Sequence, residues 1–232
     1  MSIRPLTAWL AGTGKSGKDF NYRFPTRWRI SPCRWWWALL TLTFLSACSE
    51  PLTPLRPLGE SDVILAFGDS LTRGTGAAPE ESYPAVLSTL IDHEVINAGI
   101  PGELSASGLE RLPAVLEREQ PTLVILCHGG NDILRKRNLS RARDNLVQMV
   151  KLARAAGADV LIVAVPTPGV FLEAAAFYQE ATELTGAALE SDAVAEILAH
   201  PELKSDTVHP NARGYRRLAE LIAEQLRLRG AL

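Results

Sequence analysis

Three uninterrupted apolar runs decide what this chain can become: Val63-Ile64-Leu65-Ala66-Phe67, Leu123-Val124-Ile125-Leu126-Cys127 and Val160-Leu161-Ile162-Val163-Ala164-Val165. None alternates polar with apolar residues, so a strand built from any of them needs cover on both faces. A shorter stretch, Glu94-Val95-Ile96-Asn97, reads as a further strand. Between the runs, apolar residues recur at helical spacing. Val86, Leu87, Leu90 and Ile91 mark a helix over 83–91; Leu109, Leu112, Val115 and Leu116 mark one over 105–119; Leu146, Met149, Val150 and Ala153 mark one over 141–156. Pro84 suits a first helical turn, whereas Pro113 is expected to kink or divide its helix. Helices around 172–185 and over 213–228 complete the order, with a short strand near 187–189. The expected fold class is α/β: a three-layer α/β/α sandwich on a mostly parallel sheet. Ligands of such sheets bind beyond the carboxyl ends of the strands, so functional residues are sought there.

The alternation starts only at Ser61. All five tryptophans lie within the first 37 residues, and up to Cys48 there are seven basic residues and one acidic. From Ser49 onward, 17 basic residues face 25 acidic ones, a net of −8 against −2 for the whole chain. An acidic body argues against a nucleic-acid partner. In the head, Arg27, Arg29 and Arg34 precede an apolar run over 35–45, which small residues and a cysteine follow. That is the build of a secretory signal peptide. Eleven helical residues span roughly 16 Å, about half the bilayer core, so a stable span is not expected.

Leu45-Ser46-Ala47-Cys48 resembles the lipobox of bacterial lipoproteins. The resemblance implies cleavage before an acylated Cys48, export, and a lipid anchor in the cell envelope; Ser49 after it resembles an outer-membrane lipoprotein on the periplasmic side. The alternative is a plain apolar anchor that ends in a cysteine by accident. Cys33 lacks a preceding apolar run and is set aside. Gly12-Thr13-Gly14-Lys15-Ser16-Gly17-Lys18 echoes a phosphate-binding loop, but Asp19 stands where a hydroxyl would ligate magnesium and no strand precedes it. It reads as a basic leader. The expected organisation is a signal peptide over 1–47, a lipidated tether over 48–60 kept extended by Pro51, Pro54 and Pro57, and one α/β domain over 61–232.

Four motifs carry chemistry. Phe67-Gly68-Asp69-Ser70-Leu71-Thr72 ends the first strand and can expose Ser70 in a tight turn; it is not the G-x-S-x-G elbow, because Thr72 occupies the last position. Asp206-Thr207-Val208-His209-Pro210 places a carboxylate within reach of an imidazole that can act as a base. Gly129-Gly130-Asn131-Asp132 ends the third strand and offers an amide donor. Asn97-Ala98-Gly99-Ile100-Pro101-Gly102 follows the second, and either glycine can present a bare N–H. Each alone is ordinary turn composition. Asp69 reads as a turn-ordering residue, His128 as a strand-end hydrogen-bonding residue, His93 as exposed, and Cys127 as an inert buried thiol. His200 repeats the His-Pro pair without a carboxylate three residues earlier. No metal-ligand spacing and no cofactor motif is present, so neither is expected.

In this chain order the four motifs resemble the GDSL or SGNH hydrolases, from about Ser61 to the C-terminus. The resemblance implies a flavodoxin-like fold and a carboxylic ester hydrolase. It implies Ser70 as nucleophile, His209 as general base and acid, and Asp206 as its orienting partner. The oxyanion hole would comprise the N–H groups of Ser70 and Gly102 and the Asn131 amide. Glu103 stands where the family more often has Asp, which keeps Gly99 open beside Gly102. Gly130-Asn131-Asp132-Ile133-Leu134-Arg135, Pro166-Thr167-Pro168-Gly169 and His209-Pro210-Asn211-Ala212-Arg213-Gly214-Tyr215 are similar to the arylesterase, thioesterase and lysophospholipase branch. There Val170, Phe171, Leu172, Phe177 and Tyr178 would border the acyl pocket, with Phe171, Leu172 and Tyr178 as the substrate-binding candidates; equally, they could pack a helix on the sheet. The expected partner is a small-molecule or lipid ester, with oligomeric state open. A carbohydrate O-acetylesterase, an acyltransferase, or a non-catalytic envelope binding module are the alternatives.

Overall fold

The computed structural model describes residues 52–169 and 171–232; the signal peptide, the lipobox with Cys48, and Val170 lie outside the described residues. Five strands, β1 (Val63–Gly68), β2 (Glu94–Gly99), β3 (Leu123–Cys127), β4 (Asp159–Val163) and β5 (Ala188–Glu190), form one sheet in the order β2-β1-β3-β4-β5. Every neighbouring pair is parallel. β3 is buried throughout, and β1 from Ile64 on, as their unbroken apolar sequences require. β2, at the edge, is only half covered, which explains its mixed composition. The strand order is that of flavodoxin-like sheets, and the chain switches direction beside β1.

Among the described residues, eight α-helices cover the sheet: α1 (Ser70–Arg73), α2 (Tyr83–Ile91), α3 (Ser105–Glu119), α4 (Gly130–Leu134), α5 (Leu139–Ala155), α6 (Ala176–Thr185), α7 (Ala193–Ala199) and α8 (Ala212–Leu228). α5 packs against both α3 and α6 in one layer, and α8 packs against α2 and α7 in the other. The helical stripes read from sequence supply the core, with Leu87, Leu112, Leu146, Met149 and Val150 all buried. Pro113 does not divide α3: it sits on the exposed face, and the helix runs through it. α6 starts at Ala176 rather than near 172, because residues 166–167 pair with residues 173–174 instead; Pro166 bridges Ala174, and Thr167 N–H donates to the Glu173 carbonyl at 2.9 Å.

Residues 52–60 carry neither helix nor strand and lie along the body. Leu55 is buried, and its N–H donates to the Arg229 carbonyl at 2.9 Å. Leu58 N–H donates to the Ala231 carbonyl at the same distance, and Arg56 N–H to Asp159 at 2.8 Å. The chain entering the domain is therefore held against its C-terminus.

Candidate active site

The site forms where β1, β2 and β3 end. β1 passes straight into α1, and Gly68 makes this possible: a Cβ there would collide with the Cys127 carbonyl oxygen and with Thr72 Oγ1. Asp69 caps α1, accepting from Leu71 N–H at 3.1 Å. Ser70 is the first helical residue, so its N–H has no intrahelical acceptor. Among the described residues this N–H has no protein partner, and its side chain points out of the turn.

His209 meets it from the far end of the chain. Its Nε2 lies 2.9 Å from Ser70 Oγ, and its Nδ1 lies 2.8 Å from Asp206 Oδ2. A carboxylate only accepts, so the ring proton belongs on Nδ1 and Nε2 is left to accept from the serine. The other oxygen, Asp206 Oδ1, accepts from the N–H groups of Val208 and His209, each at 2.8 Å. Burial pushes the Asp206 carboxyl up, but these bonds and the one from the His209 ring outweigh it and hold it below its ordinary value. The loop is pinned from below. Ser205 N–H donates to the His209 carbonyl at 2.9 Å, and Asn211 both caps α8 and donates to the carbonyls of Glu202 and Lys204. Gly214 on α8 has no space for a Cβ, which would strike the Leu203 carbonyl.

The second and third strand ends bring up the remaining donors. Asn97 ties β2 to α1 through its Nδ2, which donates to the Thr72 carbonyl at 2.9 Å. Its Oδ1 accepts from Gly99 N–H at 3.0 Å, so that N–H is spent. Gly99 is needed for packing, since a Cβ would strike the α1 backbone. Gly102, in contrast, sits at φ +76° in the following turn, and among the described residues its N–H has no protein acceptor. Of the two glycines, Gly102 alone keeps a free donor. Asn131, on α4, donates from Nδ2 to Asp69 Oδ2 at 3.1 Å. An amide nitrogen has a second hydrogen, and Asp69 fixes the plane in which it lies. Asp69 is fully enclosed, and burial pushes its carboxyl up despite these donors.

Sequence reading missed the group that holds the Gly102 turn. Glu103 takes two bonds from Arg111, both at 2.7 Å, and one from His128 Nε2 at 3.0 Å. Arg111 also reaches the Ala98 carbonyl at 2.9 Å, and its guanidinium lies 3.9 Å from the centre of the Phe67 ring. His128 Nδ1 accepts from Gly129 N–H, which directs the Nε2 proton to Glu103. Burial pushes Glu103 up, yet the bonds from His128 and Arg111 bring it below its ordinary value. Nothing in the spacing of 103, 111 and 128 announces this cluster; only the strand-end position of His128 hinted at it.

A narrow cleft of about 60 Å³ opens over Ser70, Asn131 and His209. Ile133, Val165, Leu172, Leu198 and Val208 make it largely apolar. Leu172 thus borders the cleft. Phe171 does not; it is 81% exposed beside a neighbouring shallow groove. Tyr178 is removed from the substrate-contacting candidates: its ring is fully buried against Phe177, and its hydroxyl donates to the His128 carbonyl at 2.8 Å. Leu198 arrives from α7, a seven-residue helix too short to show a period. Among the described residues, no group of three or more His, Cys, Asp or Glu side chains is placed to hold a metal ion. Burial drives the Cys127 thiol well above its usual range.

A family model described as the GDSL-like Lipase/Acylhydrolase family matches residues 66–217. The chain is 37% identical over 129 residues to esterase TesA of Pseudomonas aeruginosa, covering 53% of this chain and just under two thirds (64%) of that relative. It is 31% identical over 174 residues to thioesterase 1/protease 1/lysophospholipase L1 of Escherichia coli, covering 72% and 84%. Among solved structures it is similar to the psychrotrophic esterase EstA from Pseudoalteromonas sp., inhibited there by monoethylphosphonate, with a TM-score of 0.65 at 27% identity over 72% of this chain and 97% of that one. AlinE4, an SGNH-hydrolase family esterase, superposes with a TM-score of 0.59 at 34% identity, covering 73% and 97%.

Proposed function

The chain belongs to the GDSL-like lipase/acylhydrolase family, and from that premise we propose that it is a serine esterase acting on acyl esters or thioesters through an acyl-enzyme on Ser70. The observation that carries this reading is the unbroken relay from Ser70 Oγ to His209 Nε2 and from His209 Nδ1 to Asp206. Ser70 attacks the acyl carbonyl while His209 takes its proton, and Asp206 stabilises the imidazolium. The oxyanion is met by the N–H groups of Ser70 and Gly102 and by the Asn131 amide. Collapse expels the alcohol or thiol, which receives the proton from His209. Water then repeats the sequence at the acyl-serine and releases the acid. Names of relatives support the ester, thioester and lysophospholipid classes. The narrow apolar cleft suits short to medium acyl chains.

Asn131→Ala should lower kcat by roughly 10²- to 10³-fold, the usual cost of one oxyanion donor. The measurement is kcat and KM on a nitrophenyl ester; an unchanged kcat would remove Asn131 from the mechanism. A panel of nitrophenyl esters of rising chain length, a lysophospholipid and an acetylated sugar tests the substrate class. Turnover highest on the acyl esters or lysophospholipid is expected, and preference for the acetylated sugar would overturn it.

The reading also places the enzyme in the bacterial cell envelope, on a lipid anchor at Cys48. Several acyl chains on one residue hold far more firmly than a single chain. Cys48→Ala should therefore lose the membrane-bound fraction on cell fractionation, and an unchanged distribution would refute the anchor.

A further inference from the structure

The mouth of the cleft carries a cationic surface on an acidic body. The chain from Ser49 onward has a net charge of −8, yet Arg135, Lys136, Arg137 and Arg141 occur with no acidic residue between Leu134 and Arg143. All four are exposed. Lys136, Arg137 and Arg141 have no ion-pair partner among the described residues, whereas Arg143 just beyond them is paired with Asp144 and Glu180. Leucines flank the cations: Leu134, which also lines the cleft, is 47% exposed, and Leu139 is 37% exposed. Ile100, 45% exposed, belongs to the turn whose Gly102 carbonyl accepts from Arg135 at 2.9 Å.

This surface is held rigidly. α4 ends with Lys136 at φ +50°, while Lys136 N–H donates to the Ile133 carbonyl at 3.0 Å and Arg137 N–H to the Asp132 carbonyl at 2.8 Å. That is a Schellman closure. Asp132 is itself clamped by Ser105, and Asn138 caps α5 by accepting from Arg141 N–H at 3.1 Å. The cations and leucines are thus presented together on a fixed frame beside Asn131.

We propose that residues 134–141, with Ile100, dock on an anionic phospholipid surface and turn the cleft mouth toward it. At such a surface the two features are satisfied together: leucines enter the interface while cations meet headgroup phosphates. A nucleic acid would use the cations and leave the leucines in water. The net acidic body is repelled by the same lipids, so approach through this cationic face is favoured. The inference goes beyond the esterase reading and does not depend on it.

Hydrogen–deuterium exchange on the full chain, with vesicles of phosphatidylglycerol or of phosphatidylcholine, tests it locally and independently of any other membrane contact. Exchange over 134–141 should slow several-fold with phosphatidylglycerol and stay unchanged with phosphatidylcholine. The protection should vanish near ~1 M salt, where charges are screened beyond about 3 Å. It should also vanish in the combined Lys136→Glu, Arg137→Glu, Arg141→Glu variant, which should keep its turnover of a soluble nitrophenyl ester. Equal exchange with both vesicles, or protection reproduced by glycerol phosphate alone, would overturn the proposal. The wild-type comparison decides the matter even if the variant fails to fold, and loss of esterase activity throughout would bear on the catalytic reading only.

Discussion

Ser70→Ala should lower kcat by roughly 10⁴- to 10⁶-fold, the scale on which nucleophiles of hydroxyl-imidazole relays fail, while leaving the fold unchanged. The side chain sits at the first position of α1, and its one side-chain bond is to His209. Alanine is the best helix former, so the thermal midpoint should not fall. What remains is whatever the oxyanion donors and the cleft achieve with water as attacker. Because serine and histidine act as a unit, His209→Ala should cost a similar factor, and the double variant should lose little more. The check is kcat on one nitrophenyl ester for the four proteins, beside their melting curves. Turnover near that of the wild type in either single variant would refute the assignment.

Asp206→Asn should lower kcat by about 10³- to 10⁴-fold, through a tautomer rather than through lost charge alone. Two backbone N–H groups, of Val208 and His209, point at Oδ1. In the variant they select the amide oxygen for that side. The NH₂ group then faces His209 Nδ1, which must accept, so the ring proton moves to Nε2 and the base loses its lone pair for the serine. Alanine imposes no such tautomer, and with the carboxylate side chain 52% exposed water can take its place. Asp206→Ala should therefore be the milder change, which is the reverse of what conservative size would suggest. The measurement is kcat of both variants near neutral pH; an Asn variant more active than the Ala variant would contradict the geometry. The wild-type carboxyl, held below its ordinary value, stays ionised throughout that range.

The sheet was legible because β1, β3 and β4 are buried on both faces and so carry unbroken apolar sequences. β2 was weaker, as an edge strand should be, and α1, α4 and α7 are too short to show a period. Ser70 and His209 lie 139 positions apart, and no spacing rule joins them; the order of four turn motifs did. Gly99 and Gly102 were separable only when the Asn97 side chain was seen to occupy one N–H. Tyr178 was misplaced because helical spacing near a strand end does not say whether a ring faces the cleft or the core. The Arg111–Glu103–His128 cluster stayed hidden because its members belong to a helix, a turn and a strand end that only folding brings together.

A covalent acyl-serine is the central intermediate of the proposed reaction, and that species can be weighed. The full chain is mixed with an excess of a nitrophenyl ester, quenched in acid within the first turnover, digested and analysed by mass spectrometry. The prediction is one acyl group on the peptide that contains Ser70, absent from Ser70→Ala. Acyl transfer to any other residue, or undiminished turnover with no acylated Ser70, would contradict it.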